Sequence, residues 1–310
     1  MINTIKLGGF NMKNFLTFLF APGFFESTQV LHALILGSIV AAISGVIGVF
    51  VIIKGKTFAA HAIADFGGAG AAIIFLSGIN SLWGFLGFGV LAACGVELLG
   101  NKAKEKDLAT GVILSIALGV QALFLYFDTH LTQKASEPML ILFGSIFVIS
   151  HSTIYIVAFL TSATIFVFSI FYRPILLCSI DTDLAKTMGI NVRLIGIVFI
   201  ILLAFVVEEG SLIMGSLLSS ALLIGPAAAA MRLTHKMNFA MLLSAVIGIL
   251  SVCLGVLLAY DSFYWPPNGR GWPVSFFISV LVLVFYILSR IKEQFSMLQK
   301  IKKGRMITNE

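Results

Sequence analysis

Long uninterrupted apolar runs constrain this chain more than any other feature of its sequence. Two examples are residues 32–53, HALILGSIVAAISGVIGVFVII, and residues 274–289, VSFFISVLVLVFYILS. The hydrocarbon core of a bilayer is about 30 Å thick, and a helix of about 20 apolar residues crosses it. Apolar residues make up 59% of the chain and charged residues 11%, against about 25% charged residues in soluble domains. The sequence therefore excludes a soluble globular protein and predicts an all-α, polytopic membrane protein.

Charged residues and Pro/Gly breaks divide the apolar sequence into nine predicted spans, and eight or ten spans also fit the pattern. The predicted spans lie near residues 31–53, 57–77, 81–100, 109–127, 153–171, 194–209, 212–231, 238–260 and 273–290. Residues 138–150 are either re-entrant or interfacial, and residues 15–25 are too short to span and can lie at the interface. We divide the chain into an N-terminal arm (1–30), a transmembrane domain (31–290) and a basic tail (291–310).

Basic residues predict the orientation, because cytoplasmic loops of membrane proteins carry an excess of Lys and Arg. The connections that we assign to the cytoplasm lie near residues 54–56, 101–108, 172–193 and 232–237 and in the C-terminal tail. They hold 16 of the 20 basic residues, whereas the opposite loops hold only Lys134 and Arg270. The C-terminus is therefore predicted to be cytoplasmic. The net charge of +6 arises from basic residues in the connections between spans and in the tail, where they indicate topology. We therefore expect no nucleic-acid partner.

The clearest polar feature inside a predicted span is FAAHAIADFGGAG at residues 58–70. An ionisable group at mid-membrane costs about 2.5–3.5 kcal/mol. His61 and Asp65 are four residues apart and share one face of a helix. An imidazole nitrogen and a carboxylate at this spacing can reach one divalent cation, and Zn²⁺, Mn²⁺ or Fe²⁺ suits them better than Cu(I). The alternative is an internal hydrogen bond that pins two helices, and spacing alone does not separate the two.

Three glycines follow this pair, at Gly67, Gly68 and Gly70. They either let a neighbouring helix approach closely or let the helix break beside the site.

Glu208 and Glu209 fall at the predicted outer end of the span 194–209. They form either an acidic mouth that attracts a cation or a solvated turn between helices, and we expect the turn. We also expect Asp128, His130 and His151 to be exposed loop residues rather than ligands.

The segment SIDTDLAKTMGIN at residues 179–191 predicts a short amphipathic helix on the cytoplasmic side. Asp181 or Asp183 can cap its start, Leu184 and Met188 share a face, and Gly189 can end it. So short a helix is not stable alone in water, and we expect it to dock on the membrane surface or on a partner protein.

The chain shows no complete phosphate-binding loop. Gly55, Lys56 and Thr57 match the end of that motif, but Phe50 stands where its first glycine is required. We therefore expect no ATPase activity in this chain, and ATP can drive it only through another polypeptide.

Several motifs in order resemble the membrane subunit of the ATP-binding cassette importers for zinc, manganese and iron, over residues 28–290. The matching segments are GVFVIIKGKTF (48–58), HAIADFGGAG (61–70), LFGSI (142–146), DTDLAKTMGI (181–190) and GSLLSSALLIGPAAAA (215–230). The last is the most specific, being similar to the family signature G-x-L-L…A-L-L-x-x-P-A-A-x-A. We expect Gly215, Pro226 and residues 227–230 to form a close-packed core rather than a lipid-facing surface.

The resemblance implies a homodimeric permease of the vitamin-B12-importer-like helical type in the bacterial inner membrane. Such a permease receives its metal from an extracellular or periplasmic binding lipoprotein, is driven by a separate ATPase that alone binds ATP, and holds no permanent cofactor. His61 and Asp65 would then line the metal passage. The residues implied to couple to the ATPase are Asp181, Asp183, Leu184, Ala185, Met188 and Gly189.

One departure concerns the metal segment, where the family usually has D-A-L-S-H. His61 stands at the position of that Asp and Asp65 at the position of that His, which leaves the choice of metal open. The alternative function is a secondary transporter or channel in which this pair relays protons or cations without an ATPase. An intramembrane enzyme fits poorly, because HAIAD lacks the H-E-x-x-H spacing of zinc proteases.

Overall fold

The computed structural model describes residues 23–24, 26–98, 103–131, 137–144, 146–147, 151–265, 269 and 271–307. The regular structure of these residues is entirely helical. The helices are α1 (Thr28–Ile53), α2 (Thr57–Leu76), α3 (Ser81–Leu98), α4 (Ala103–Leu131), α5 (Glu137–Phe143), α6 (His151–Ile180), α7 (Thr182–Thr187), α8 (Val192–Met214), α9 (Ser219–Leu233), α10 (Met237–Ser262) and α11 (Val274–Ile307). The predicted interfacial stretch at residues 15–25 lies almost wholly outside the described residues, as do Lys134 and Arg270.

In the described part of the chain, eight helices are long and apolar enough to cross a membrane: α1, α2, α3, α4, α6, α8, α10 and α11. The fold class predicted from the sequence is therefore confirmed. The ninth predicted span, at residues 212–231, is wrong because α8 continues to Met214 instead of ending near residue 209. What remains is α9, a helix of 15 residues that falls short of membrane-spanning length.

The segment predicted as re-entrant or interfacial contains most of the short helix α5, which ends at Phe143 and is followed by Gly144 with a φ of +84°. The backbone N–H of Ser216 donates to the carbonyl of Ile141 at 3.1 Å. This contact ties α5 to the irregular residues between α8 and α9. In lipid such irregular backbone is tolerated only where protein or water satisfies it.

Small residues bring the helices of the core together. The Ser244 hydroxyl of α10 donates to the carbonyl of Gly45 in α1 at 2.8 Å, so the two backbones are in close contact. A Cβ atom at Gly48 would overlap the carbonyl of Leu223 in α9. Lipid gives no hydrophobic drive for helix association, and such close approach supplies the packing instead.

Helix α9 lies in the interior of the bundle. Pro226, Ala227, Ala229 and Ala230 are buried, and Ala228 is half-buried. A proline inside a helix removes one backbone hydrogen bond, which neighbouring protein can compensate. The burial of these positions is consistent with a close-packed core.

Ion pairs and hydrogen bonds of basic residues connect the ends of several helices. Lys56 lies 3.4 Å from the Glu97 carboxylate of α3. Arg232, near the end of α9, donates to Glu293 of α11 at 2.8 Å and to the Tyr286 hydroxyl at 3.0 Å. These contacts fix α9 against α11 at that end of the bundle.

Replacement of Gly48 by alanine tests the close packing of α1 on α9. The added methyl group would overlap the Leu223 carbonyl, and overpacking costs about 1–3 kcal/mol. Gly87 in α3 is the matched control, because an added Cβ meets no atom within 4 Å there. Gly48→Ala should lower the melting temperature of the detergent-purified protein, and Gly87→Ala should leave it unchanged or raise it, since alanine is the better helix former. Equal melting temperatures would contradict the packing.

Candidate functional site

His61 and Asp65 meet inside the bundle on one face of α2. The His61 Nε2 and Asp65 Oδ2 atoms are 3.6 Å apart, with the His61 side chain 40% exposed and the Asp65 side chain 1% exposed. The Ser220 hydroxyl of α9 lies 3.3 Å from His61 Nδ1. The Asp65 Oδ1 atom has no hydrogen-bond partner among the described residues. The pair therefore keeps one carboxylate oxygen and an accessible imidazole for a further ligand.

The predicted glycines beside this pair allow close approach rather than a break, because α2 continues to Leu76. A Cβ atom at Gly68 would collide with Gln121 of α4 and with Ser216, and one at Gly70 would collide with the ring of Phe88. At Gly67 a Cβ atom would overlap the carboxyl group of Glu208. Each glycine thus admits a side chain from another element.

The prediction for Glu208 and Glu209 is wrong. Both lie within α8, about one and a half turns before its end at Met214, and both are 0% exposed. They form neither a solvated turn nor an open acidic mouth. Gly67 and Gly89 lie against the carboxyl group of Glu208, and Thr161 lies against that of Glu209.

The two glutamates have different surroundings. Glu209 Oε2 accepts a hydrogen bond of 2.6 Å from Thr161 of α6. Neither carboxyl oxygen of Glu208 has a hydrogen-bond partner in the described part of the chain, and this carboxyl group lies against Gly67 of α2, the helix that carries His61 and Asp65. Glu208 therefore belongs to the same polar interior as the His61–Asp65 pair, whereas Glu209 is engaged with α6.

Small polar side chains extend this interior across the break between α8 and α9. Gly215 breaks the chain there with a φ of +85°. The Gln121 amide donates to the Ser216 hydroxyl at 2.9 Å, and the Ser211 and Ser219 hydroxyls are 3.0 Å apart. Sequence reasoning singled out Gly215 but missed Gln121, Ser211, Ser216 and Ser219, whose signal in the sequence was small polar side chains within apolar helices.

We call the set of side chains that follows the inner polar strip. It runs over four helices and the break between α8 and α9, and its members are His61, Asp65, Gln121, Glu208, Ser211, Ser216, Ser219 and Ser220. Among the described residues, no group of three or more His, Cys, Asp or Glu side chains is arranged to hold a metal ion together. The strip thus offers polar side chains in ones and twos along its length.

The three other polar residues, Asp128, His130 and His151, were predicted to be exposed loop residues. Asp128, predicted to be exposed, is fully buried near the end of α4, so that prediction is wrong. His130 is exposed and stacks on Tyr126 with a ring centroid distance of 4.0 Å. The side chain of His151 lies outside the described residues.

The predicted short amphipathic helix is α7, with Asp181 at its N-cap. The Asp181 carboxylate accepts from the backbone N–H groups of Asp183 at 2.9 Å and Leu184 at 3.0 Å. Gly189 follows the helix with a φ of +78°. These features confirm the predicted start and end.

One side of α7 faces the bundle and the other is unpartnered. Ala185 is fully buried, whereas Leu184 is 48% and Met188 66% exposed. Leu184 and Met188 thus form an exposed apolar pair on a helix that Ala185 anchors to the bundle. Such a pair is suited to contact with another protein.

Comparison with known proteins agrees with this architecture. The ABC 3 transport family matches residues 26–289. The manganese transport system membrane protein MntC of Listeria innocua is 30% identical over 243 residues, which cover 78% of this chain and 85% of the relative. A probable iron transport system membrane protein of Haemophilus influenzae is 29% identical over 244 residues, covering 78% and 88% of the two chains.

Solved structures are similar as well. The structure of PsaBC from Streptococcus pneumoniae in complex with Fab has a TM-score of 0.74 and 26% identity, covering 86% of this chain and 92% of that chain. An inward-facing metal-chelate type ABC transporter has a TM-score of 0.68 at 13% identity, over 93% and 91% of the two chains, and supports the fold alone.

Replacement of Thr161 by valine tests the buried contact between α6 and α8. The change leaves both oxygens of Glu209 buried without a hydrogen-bond partner among the described residues, at a cost of about 1–3 kcal/mol. Thr164 is the matched control, because it is 4% exposed and its hydroxyl donates to the Leu160 carbonyl of its own helix, with no bond to another helix among the described residues. Denaturant unfolding in detergent should show a larger loss of stability for Thr161→Val than for Thr164→Val. Equal losses would mean that the contact with Glu209 contributes nothing.

Proposed function

Because the chain belongs to the ABC 3 transport family, we propose that it is the membrane permease subunit of an ABC importer for a divalent transition metal. The matches to the manganese and iron transport proteins span most of the length of those two relatives. The transported ion is Mn²⁺ or Fe²⁺ on this proposal, and it is cargo rather than a resident cofactor.

The observation that carries the proposal is the His61–Asp65 pair. Its two side chains come from one helix face, lie 3.6 Å apart, and leave Asp65 Oδ1 without a partner among the described residues. A pin between two helices, the alternative for this pair, would be expected to use both polar groups fully. A nitrogen and an oxygen ligand together suit a first-row divalent cation.

The inner polar strip gives the cation a route. Hydroxyl and amide oxygens from Gln121, Ser216 and Ser220 can replace part of the hydration shell of a cation that has left the pair. Irregular backbone at Gly215 lies beside them, and such backbone occurs at membrane depth where it lines a cavity. The swapped order of His and Asp keeps one ligand of each type, with the imidazole at the more exposed position.

We assign the energy source to a separate ATPase that docks on α7. The exposed Leu184 and Met188 side chains supply an apolar contact, and the buried Ala185 transmits movement of α7 to the bundle. Asp181 keeps the helix capped during that movement. ATP binds to the partner only.

Three further features belong to the proposal. The metal reaches the permease from an extracellular or periplasmic binding lipoprotein, the permease works as a homodimer, and its C-terminus lies in the cytoplasm of a bacterial cell. The grouping of basic residues near the ends of α1, α9 and α11 supports this orientation. Family membership favours this function over a secondary transporter or channel without an ATPase.

Loss of either metal-facing side chain should abolish transport. Removing a residue that only holds a metal ligand in place lowers metal affinity about 10–100-fold. Removing a ligand itself should cost at least as much. His61→Ala and Asp65→Ala should therefore each lower ⁵⁴Mn²⁺ accumulation at least about tenfold in cells that depend on this permease, with unchanged protein in the membrane. His235→Ala, at an exposed position after α9, is the control. Normal accumulation in both site variants would refute the role of the pair.

A charge on the exposed face of α7 should uncouple the ATPase. Leu184→Glu places a carboxylate on the proposed docking surface, while Thr182→Glu adds the same charge at the first residue of α7 and away from that face. Co-purification of the ATPase and metal-stimulated ATP hydrolysis should be lost in the first variant and kept in the second. An assembled, active Leu184→Glu complex would count against this docking surface.

A further inference from the structure

A buried polar contact joins α6 to α8 through Thr161 and Glu209. The Thr161 Oγ1 atom lies 2.6 Å from Glu209 Oε2 and 2.9 Å from the carbonyl oxygen of Val157, one turn earlier in α6. Thr161 and Glu209 are both 0% exposed. Neither residue belongs to the His61–Asp65 pair or to the inner polar strip, so metal passage does not account for this contact.

The surroundings of Glu209 do not balance a negative charge. No Lys, Arg or His side chain forms an ion pair with Glu209 in the described part of the chain, where the ion pairs join other residues. The Oε1 atom of Glu209 has no hydrogen-bond partner among the described residues. An ionised carboxylate that is removed from water without a cation is so costly that the group takes up a proton instead. Burial at this position therefore favours the neutral acid.

The number of protons available to the contact leads to the same conclusion. The Thr161 hydroxyl carries one proton and lies near two oxygen atoms. If Glu209 is ionised, Thr161 donates that proton to the carboxylate, which has no second donor among the described residues. If Glu209 is protonated, its O–H group donates to Thr161, and Thr161 donates to the Val157 carbonyl. Both oxygen–oxygen distances suit such hydrogen bonds, and this arrangement leaves no buried charge.

We propose that Glu209 binds a proton and, as an uncharged carboxylic acid, donates a hydrogen bond to Thr161 that ties α8 to α6. An apolar environment can keep a carboxylic acid neutral so that it acts as a donor. The ligand of this site is a proton rather than a metal ion. Glu209 therefore does not compete with the His61–Asp65 pair for the cation.

The tie joins the helix that leads into α7 to the helix that leads into the break. Helix α6 ends at Ile180, and only Asp181 separates it from α7. Glu209 lies six residues before Gly215, about 9 Å along α8. A movement of α7 that shifts α6 is thus passed to α8 close to the break. This step rests on the proposed function, which places the ATPase on α7, and it makes Glu209 a positioning residue.

Infrared spectroscopy of the detergent-purified permease tests whether Glu209 carries the proton. A protonated carboxyl group has a C=O stretching band above the amide I region, and a carboxylate has none there. The difference spectrum between the unaltered protein and Glu209→Gln should contain this band. Thr161→Val should keep the band but move it to higher wavenumber, because the acid has lost its acceptor, and Thr164→Val should leave it in place. A difference spectrum that shows carboxylate bands instead would overturn the proposal.

Uptake of ⁵⁴Mn²⁺ by cells and ATP hydrolysis by the purified permease–ATPase complex test the tie. Glu209→Gln is uncharged and keeps a donor, so both activities should stay normal. Glu209→Leu has no donor, and it should lower uptake at least about fivefold, the lower end of typical coupling between sites, while ATP hydrolysis persists. Thr161→Val should behave like Glu209→Leu, whereas Thr161→Ser restores the hydroxyl and should restore uptake. Thr164→Val is the control for the loss of a buried hydroxyl on α6.

The variants separate a neutral tie from a charged group and from simple packing. Equal loss of uptake in Glu209→Gln and Glu209→Leu would overturn the proposal, because it would show that the ionised form is required. Normal uptake in both Glu209→Leu and Thr161→Val would overturn the tie. If Glu209→Leu does not assemble, the two Thr161 variants decide: loss of uptake in the valine variant alone supports the tie, and equal uptake overturns it. Normal uptake in His61→Ala would reject the proposed function, and the infrared band would still decide whether Glu209 is protonated.

Discussion

A bilayer offers no hydrogen bonds to a polar group, and this constraint organises the whole molecule. The buried polar side chains of the inner polar strip, together with Thr161 and Glu209, lie on α2, α4, α6, α8 and α9 and at the break between α8 and α9. Small residues make this gathering possible. Gly67 and Gly89 admit the Glu208 carboxyl group, and Gly68 admits Gln121 and Ser216. The same residues that let helices pack without a hydrophobic drive therefore also create the space in which buried polar side chains lie.

The break between α8 and α9 depends on the same constraint. Gly144 and Gly215 both have a positive φ, and a Cβ atom at either would overlap the backbone near the other. The backbone N–H of Ser216 donates a hydrogen bond to the Ile141 carbonyl. Helix α5 thus pairs part of the irregular backbone between α8 and α9. Continuing α8 and α9 as one straight helix would remove this meeting point and with it the Ser216 contact with Gln121. The helix break is thus part of the site and not a mere connection.

The sequence predicted most of the architecture, because apolar runs, glycines and basic loops are local signals. It also predicted that His61 and Asp65 share a face, since helical spacing alone decides that. Glu208 and Glu209 were misplaced because two adjacent acids within an apolar run resemble a loop, and only contacts from α2, α3 and α6 show how they are buried. The prediction that Asp128 is exposed was wrong for the same reason: Asp128 lies near a helix end but is 0% exposed. Gln121 and Ser216 were missed because their partners lie in distant parts of the chain.

The central claim is that a divalent metal binds within the inner polar strip, at Asp65. Anomalous diffraction at the manganese absorption edge, from crystals of the permease–ATPase complex grown with Mn²⁺, measures this directly. The account predicts an anomalous peak within bonding distance of an Asp65 carboxylate oxygen, together with a ligand atom from His61. Manganese density found only outside the strip, with none at Asp65 in fully loaded and transport-competent protein, would contradict it.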